Sequence, residues 1–105
     1  MGPGKAELLE KIEQSGSISA AARDMGMSYR RAWQLVEAIN KSFSQQVVVT
    51  AVGGHSGGGT RITAFGQDVL ARFLDMEAKA SASIAADLRS YSEYLKAPKA
   101  QTRKR

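Results

Sequence analysis

The segment ISAAARDMGMSYRRAWQL, residues 18–35, constrains the fold of this chain more than any other stretch. Two short helices that cross steeply need a small residue where they approach, and Ala22 supplies one. They also need a residue at ease with positive φ in the turn, and Gly26 stands four positions later. Apolar residues should flank that turn and recur on the second helix, as Met25, Met27, Ala32 and Leu35 do. With Ala21, these positions fit a helix-turn-helix at each constrained site. The bland alternative is an αα-hairpin without a ligand, because short helices often meet through alanine and glycine.

The flanking sequence builds a domain around this unit. Residues 1–4 read as a loose arm, and residues 5–14 as a helix with Leu8, Leu9 and Ile12 on one face. Ser15-Gly16 ends that helix, and Ser17 or Ser19 can cap the second, which runs to about Met25. Ser28 is placed to cap a third helix running to about Phe43. The β-branched run 46–52 predicts a strand, the glycine-rich stretch 53–59 a turn or loop, and Thr60-Arg61-Ile62 the returning strand. Thr63 can then cap a last helix. The expected fold class is mainly α with a small β-hairpin wing. That is a winged helix-turn-helix over 5–63, a long helix over 64–95 and a basic tail over 96–105.

On the long helix, Val69, Phe73, Met76, Ala80, Ile84, Leu88, Tyr91 and Leu95 recur every three or four residues and form one apolar stripe. A small core can cover only the first half. The second half needs another chain, which predicts a dimer through Phe73, Met76, Ala80, Ile84, Leu88, Tyr91 and Leu95.

The net charge of +5 is unevenly placed. Lys96, Lys99, Arg103, Lys104 and Arg105 carry five positive charges with no acid among them, so residues 1–95 are neutral overall. Within those residues, 28–61 are locally basic through Arg30, Arg31, Lys41 and Arg61 against Glu37 alone. This distribution permits nucleic-acid binding without demanding it.

Several function classes are excluded. The absence of cysteine removes disulfides, thiolate metal sites and cysteine nucleophiles. The single histidine, His55, cannot build a histidine metal cluster, and in a glycine loop it is badly placed as a general base. Carboxylate pairs such as Glu7 with Glu10 and Asp75 with Glu77 fall among exposed helical charges. Neither an enzyme nor a cofactor is therefore expected. No apolar run approaches ~20 residues, and neither a signal-peptide nor a myristoylation pattern follows Met1. A cytoplasmic location is the default expectation.

The candidate DNA-contacting residues of the third helix are Ser28, Tyr29, Arg30, Arg31 and Gln34. Arginine can address guanine O6 and N7 bidentately, glutamine can pair with adenine, and serine or tyrosine hydroxyls reach phosphates. A solvated helix face is the plain alternative for Arg30-Arg31. Trp33 can stack at the DNA surface or brace the helix, and bracing is at least as good a reading. After such a motif the hairpin reads as a wing, with His55 in its loop and Arg61 at its base. It is not a Walker A loop, because Gly-Lys-Ser/Thr is missing and a strand follows.

With both motifs placed, SGSISAAARDMGMSYRRAWQLVEAIN (15–40) and GGHSGGGTRITAFGQ (53–67) resemble the DNA-binding domain of ModE-type, molybdate-responsive transcription regulators. The first half also resembles the winged domain of LysR-type regulators. The resemblance covers about residues 7–95. It implies a dimeric regulator, repressor or activator, that binds a palindromic operator in double-stranded DNA. Ser28, Tyr29, Arg30 and Arg31 would start the recognition helix, His55 and Arg61 would belong to the wing, and 64–95 would pair the protomers. Regulators of this type continue into an oxyanion-binding module with no counterpart in these 105 residues. The expectation is thus a regulator without its own molybdate sensor, acting constitutively, through its abundance or through a separate sensor protein. The alternative is a winged-helix module that pairs with another protein chain.

Overall fold

The computed structural model describes residues 1–51 and 59–96. They divide into two compact units, Met1–Asp75 and the segment from Met76 onward. The first unit holds α1 (Pro3–Ser15), α2 (Ile18–Asp24), α3 (Tyr29–Ser42), β1 (Val48–Thr50), β2 (Thr60–Ile62) and the start of α4 (Ala64–Ser83). This is the mainly helical, hairpin-bearing architecture that the sequence predicts.

Helix α1 starts at Pro3, earlier than expected. Proline at the first helical position loses no hydrogen bond and already holds the helical φ, so Pro3 and Gly4 join the helix instead of forming an arm. Gly16 ends α1 in the left-handed region at φ 70°, with its N–H on the Ile12 carbonyl. The caps fall on the expected hydroxyls. Ser17 Oγ accepts from Ala20 N–H at 3.0 Å, which selects Ser17 over Ser19. Ser28 Oγ accepts from Arg31 N–H at 3.0 Å, and Thr63 Oγ1 from Gly66 N–H at 2.9 Å. Gly26 makes the α2–α3 turn at φ 70°.

Leu8, Leu9 and Ile12 of α1 are buried with Ala21 and Ala22 of α2 and Ala32, Val36 and Ile39 of α3. Ala6, Ile18, Val47, Val48, Ile62 and Leu70 complete the core. Full burial of one such aliphatic side chain contributes roughly 1.5–3 kcal/mol. The surface ion pair of Lys11 with Asp24 links α1 to the end of α2.

The hairpin is antiparallel, with Val48 opposite Ile62, Val49 opposite Arg61 and Thr50 opposite Thr60. Its first strand is shorter than the β-branched run predicted. Val47 instead gives its N–H to Asn40 Oδ1 and its carbonyl to Thr63 N–H, so it anchors the hairpin rather than extending it. Gly66 lies against this anchor. A Cβ there would stand 2.5 Å from the Val47 carbonyl oxygen.

The single helix expected over 64–95 is corrected. α4 ends at Ser83, Ile84 sits at φ −111°, ψ 7°, and α5 spans Ala85–Ser92, leaving Leu95 beyond its end. The interruption falls in a run of serine and alanine. The Ser83 hydroxyl donates to the Ala80 carbonyl at 2.8 Å and so competes for the helix's own acceptors, next to a β-branched isoleucine. In this second unit Met76, Ile84, Leu88, Tyr91, Tyr94 and Leu95 are all exposed. Among the described residues, no helix is long and apolar enough to cross a membrane.

Candidate nucleic-acid interface

Helix α3 follows the Gly26 turn with its inward face set by Ala32, Val36 and Ile39. At 3.6 residues per turn, the opposite face carries Arg30, Gln34, Glu37 and Lys41, spaced by three or four residues. All four are exposed. Sequence reasoning named Arg30 and Gln34; the helical phase adds Glu37 and Lys41. Their signal was periodicity measured from the buried face, rather than closeness to the helix start.

The other predicted contacts occupy different sides of α3. Tyr29 is 53% exposed and meets Trp33 edge-on, with centroids 6.2 Å apart and planes at 80°. Trp33 is half-buried and packs against the core, which favours its bracing role. Arg31 borders an open depression with Lys5, Met25, Met27 and Leu35, beside the start of α1. Arg30 and Arg31, adjacent in sequence, therefore face different surroundings. Ser28 spends its hydroxyl oxygen on the cap of α3, which places the helix start but limits its use as a free contact.

Arg61 is exposed on β2 opposite Val49. His55 lies outside the described residues, as do the other residues from Val52 through Gly58 and the tail from Ala97.

Three connections hold the hairpin base to the helices. Asn40, half-buried near the end of α3, accepts from Val47 N–H at 2.8 Å and Val48 N–H at 3.1 Å, and donates from Nδ2 to the Val48 carbonyl at 3.0 Å. Thr63 Oγ1 donates to the Gln46 carbonyl at 2.7 Å. Thr60 N–H donates to the Gly16 carbonyl at 3.1 Å, joining β2 to the α1–α2 connection. Sequence reasoning missed Asn40 because its partners lie seven and eight residues away, beyond any local capping pattern.

Chemically, the described surface offers guanidinium, amide, ammonium and hydroxyl groups together with the Glu37 carboxylate, groups that can hydrogen-bond base edges and, apart from the carboxylate, phosphates. Among the described residues, no group of three or more His, Asp or Glu side chains could hold a metal ion.

No protein-family model matches the chain. It is 44% identical over 78 residues to the molybdenum-pterin-binding protein MopB of Rhodobacter capsulatus, covering 74% of this chain and 29% of that protein. It is 40% identical over 68 residues to the DNA-binding transcriptional dual regulator ModE of Escherichia coli K12, covering 65% of this chain and 26% of ModE. The chain thus spans less than a third of the length of these curated relatives. The solved CbnR_DBD–DNA complex superposes with a TM-score of 0.62 at 16% identity, over 84% of this chain and 99% of that one, a likeness of fold. Sequence similarity over most of the chain, carried on this helix-turn-helix and hairpin, identifies it as a winged helix-turn-helix domain of the ModE type.

Proposed function

We propose that this chain binds double-stranded DNA sequence-specifically as a transcription regulator, with α3 in the major groove and the hairpin against the flanking backbone. The observation that carries this reading is the exposed column of Arg30, Gln34, Glu37 and Lys41 on the helix that follows the Gly26 turn, in which Glu37 can accept from a cytosine amino group. Arg30 and Gln34 lie in the N-terminal half of α3, the part of a recognition helix that reaches base edges. Lys41 and Arg61 supply charge toward phosphates, and Tyr29 offers a hydroxyl from the flank. The position of Arg31 beside Lys5 suits a backbone contact rather than a base contact.

The exposed apolar residues of the second unit support a dimer in this reading. Met76, Leu88 and Tyr91 are 61%, 53% and 64% exposed, and a contiguous exposed apolar patch marks an interaction surface. Pairing of two copies through Met76, Ala80, Ile84, Leu88 and Tyr91 would set two recognition helices about one helical turn, ~34 Å, apart on an inverted repeat. Phe73 packs against the core of the first unit and so contributes less to that face. Leu95 lies beyond the end of α5.

Selection from random duplex DNA with the purified chain at near-physiological salt tests the proposal. The expected result is an inverted repeat with fixed half-site spacing. Arg30→Ala should then cost about 1–3 kcal/mol and relax specificity at one position of the half-site. Arg31→Ala should weaken all duplexes alike and reduce the salt dependence. A folded protein that enriches no sequence would overturn the reading.

A further inference from the structure

We propose that Asn40 is a positioning residue that locks the hairpin to the recognition helix, so that Arg61 and α3 engage one duplex together; this rests on the DNA-binding reading above. Asn40 sits on the flank of α3 near its C-terminal end, away from the exposed column of Arg30, Gln34, Glu37 and Lys41. Its carboxamide does not face outward. Oδ1 takes both backbone N–H groups of Val47 and Val48, and Nδ2 gives a proton to the Val48 carbonyl. Both ends of one side chain therefore grip the first residues of the hairpin.

Val48 pairs with Ile62, and Arg61 is the residue before Ile62 on the same short strand. A shift of Val48 relative to α3 is thus carried directly to Arg61. Among the described residues the hairpin has three paired positions and one further bond, Ala51 N–H to the Gly59 carbonyl at 2.7 Å, and an isolated two-stranded hairpin is at best marginally stable in water. Its other ties run to the first turn of α4 through Thr63 and to Gly16 through Thr60. Asn40 makes the side-chain hydrogen bonds from the recognition helix itself. An aspartate at this position would keep both accepted bonds, lose the donated one, and set a carboxylate oxygen against the Val48 carbonyl.

A double-mutant cycle with the full 105-residue chain tests the proposal, using the duplex recovered by selection and fluorescence anisotropy at constant salt. In the wild-type background, Arg61→Ala should weaken binding roughly fivefold or more. In the Asn40→Asp background the same Arg61→Ala change should have little further effect, while Arg30→Ala keeps its full effect. That pattern separates a misplaced hairpin from a damaged recognition helix. Equal Arg61→Ala effects in both backgrounds would overturn the proposal, and so would loss of the Arg30→Ala effect alongside it. Where Asn40→Asp does not fold by circular dichroism, Asn40→Ser enters the same cycle under the same criteria. Failure of the wild-type chain to select any duplex would instead strike the DNA-binding reading, and this inference with it.

Discussion

Gly66→Ala pits local preference against packing, and the two predict opposite signs. Gly66 is the third residue of α4, where alanine is favoured over glycine by up to about 1 kcal/mol. Its backbone, however, lies against the anchor of the hairpin. The added Cβ would meet the Val47 carbonyl oxygen at 2.5 Å, Ile62 Cγ2 at 2.8 Å and Val47 Cγ1 at 2.9 Å. The nearest of these is backbone and cannot rotate away. Forcing a methyl group into such a contact costs about 1–3 kcal/mol. The same Val47 carbonyl accepts from Thr63 N–H at 2.9 Å, and displacing it weakens a bond worth about 1 kcal/mol. The net expectation is a loss of about 1–3 kcal/mol, or a Tm lower by roughly 4–20 °C for a domain of this size. Gly4→Ala is the matched control, since it also lies in a helix but nothing stands within 4 Å of its added Cβ. It should be neutral or stabilising by up to about 1 kcal/mol. Thermal and urea unfolding followed by circular dichroism would measure both variants. A Tm for Gly66→Ala equal to or above wild type would refute the close-packing argument.

Two further outcomes are expected. Leu88→Asp places a charge among the exposed apolar residues of α5, so sedimentation should show a dimer becoming monomeric while the circular-dichroism melt of the helical core is retained. An unchanged sedimentation coefficient would remove the dimer from the proposed function. The hydrogen bond to Asp24, reinforced by Coulomb attraction to it, raises the Lys11 ammonium above its ordinary value of 10.5. A raised lysine stabilises in full below the unfolded pKa and loses that contribution as pH climbs through the folded one. Lys11→Met should therefore melt below wild type at pH 7–9, and the gap should narrow at higher pH; a gap constant up to pH 11 would contradict this assignment.

Some of the candidate site was legible because its requirements are local. Ser17, Ser28 and Thr63 each accept an N–H three residues ahead, and Gly16 and Gly26 each supply one left-handed backbone position. Such demands fit inside a single turn, so residue type and spacing reveal them. The break at Ile84 escaped notice for the complementary reason. An apolar stripe repeating every three or four residues continues across a one-residue interruption, and periodicity alone cannot register it.

Separation of Arg30 from Arg31 needed the packed structure. Adjacent residues on a helix point about 100° apart, and both arginines are exposed, so only the buried face of Ala32, Val36 and Ile39 shows that Arg30 stands opposite the core and Arg31 on the flank. Val47 leaves the strand because Asn40 and Thr63 capture its N–H and carbonyl, a competition between partners far apart in sequence.

The helix-turn-helix, its caps and the presence of a hairpin follow from residue type and spacing, since each is a short-range backbone requirement met by a particular residue. Packing was needed to show which arginine stands opposite the core, why Gly66 must be small and how Asn40 fastens the hairpin to α3. Those depend on surfaces brought together across the core, where the distance between groups is set by packing rather than by their separation along the chain.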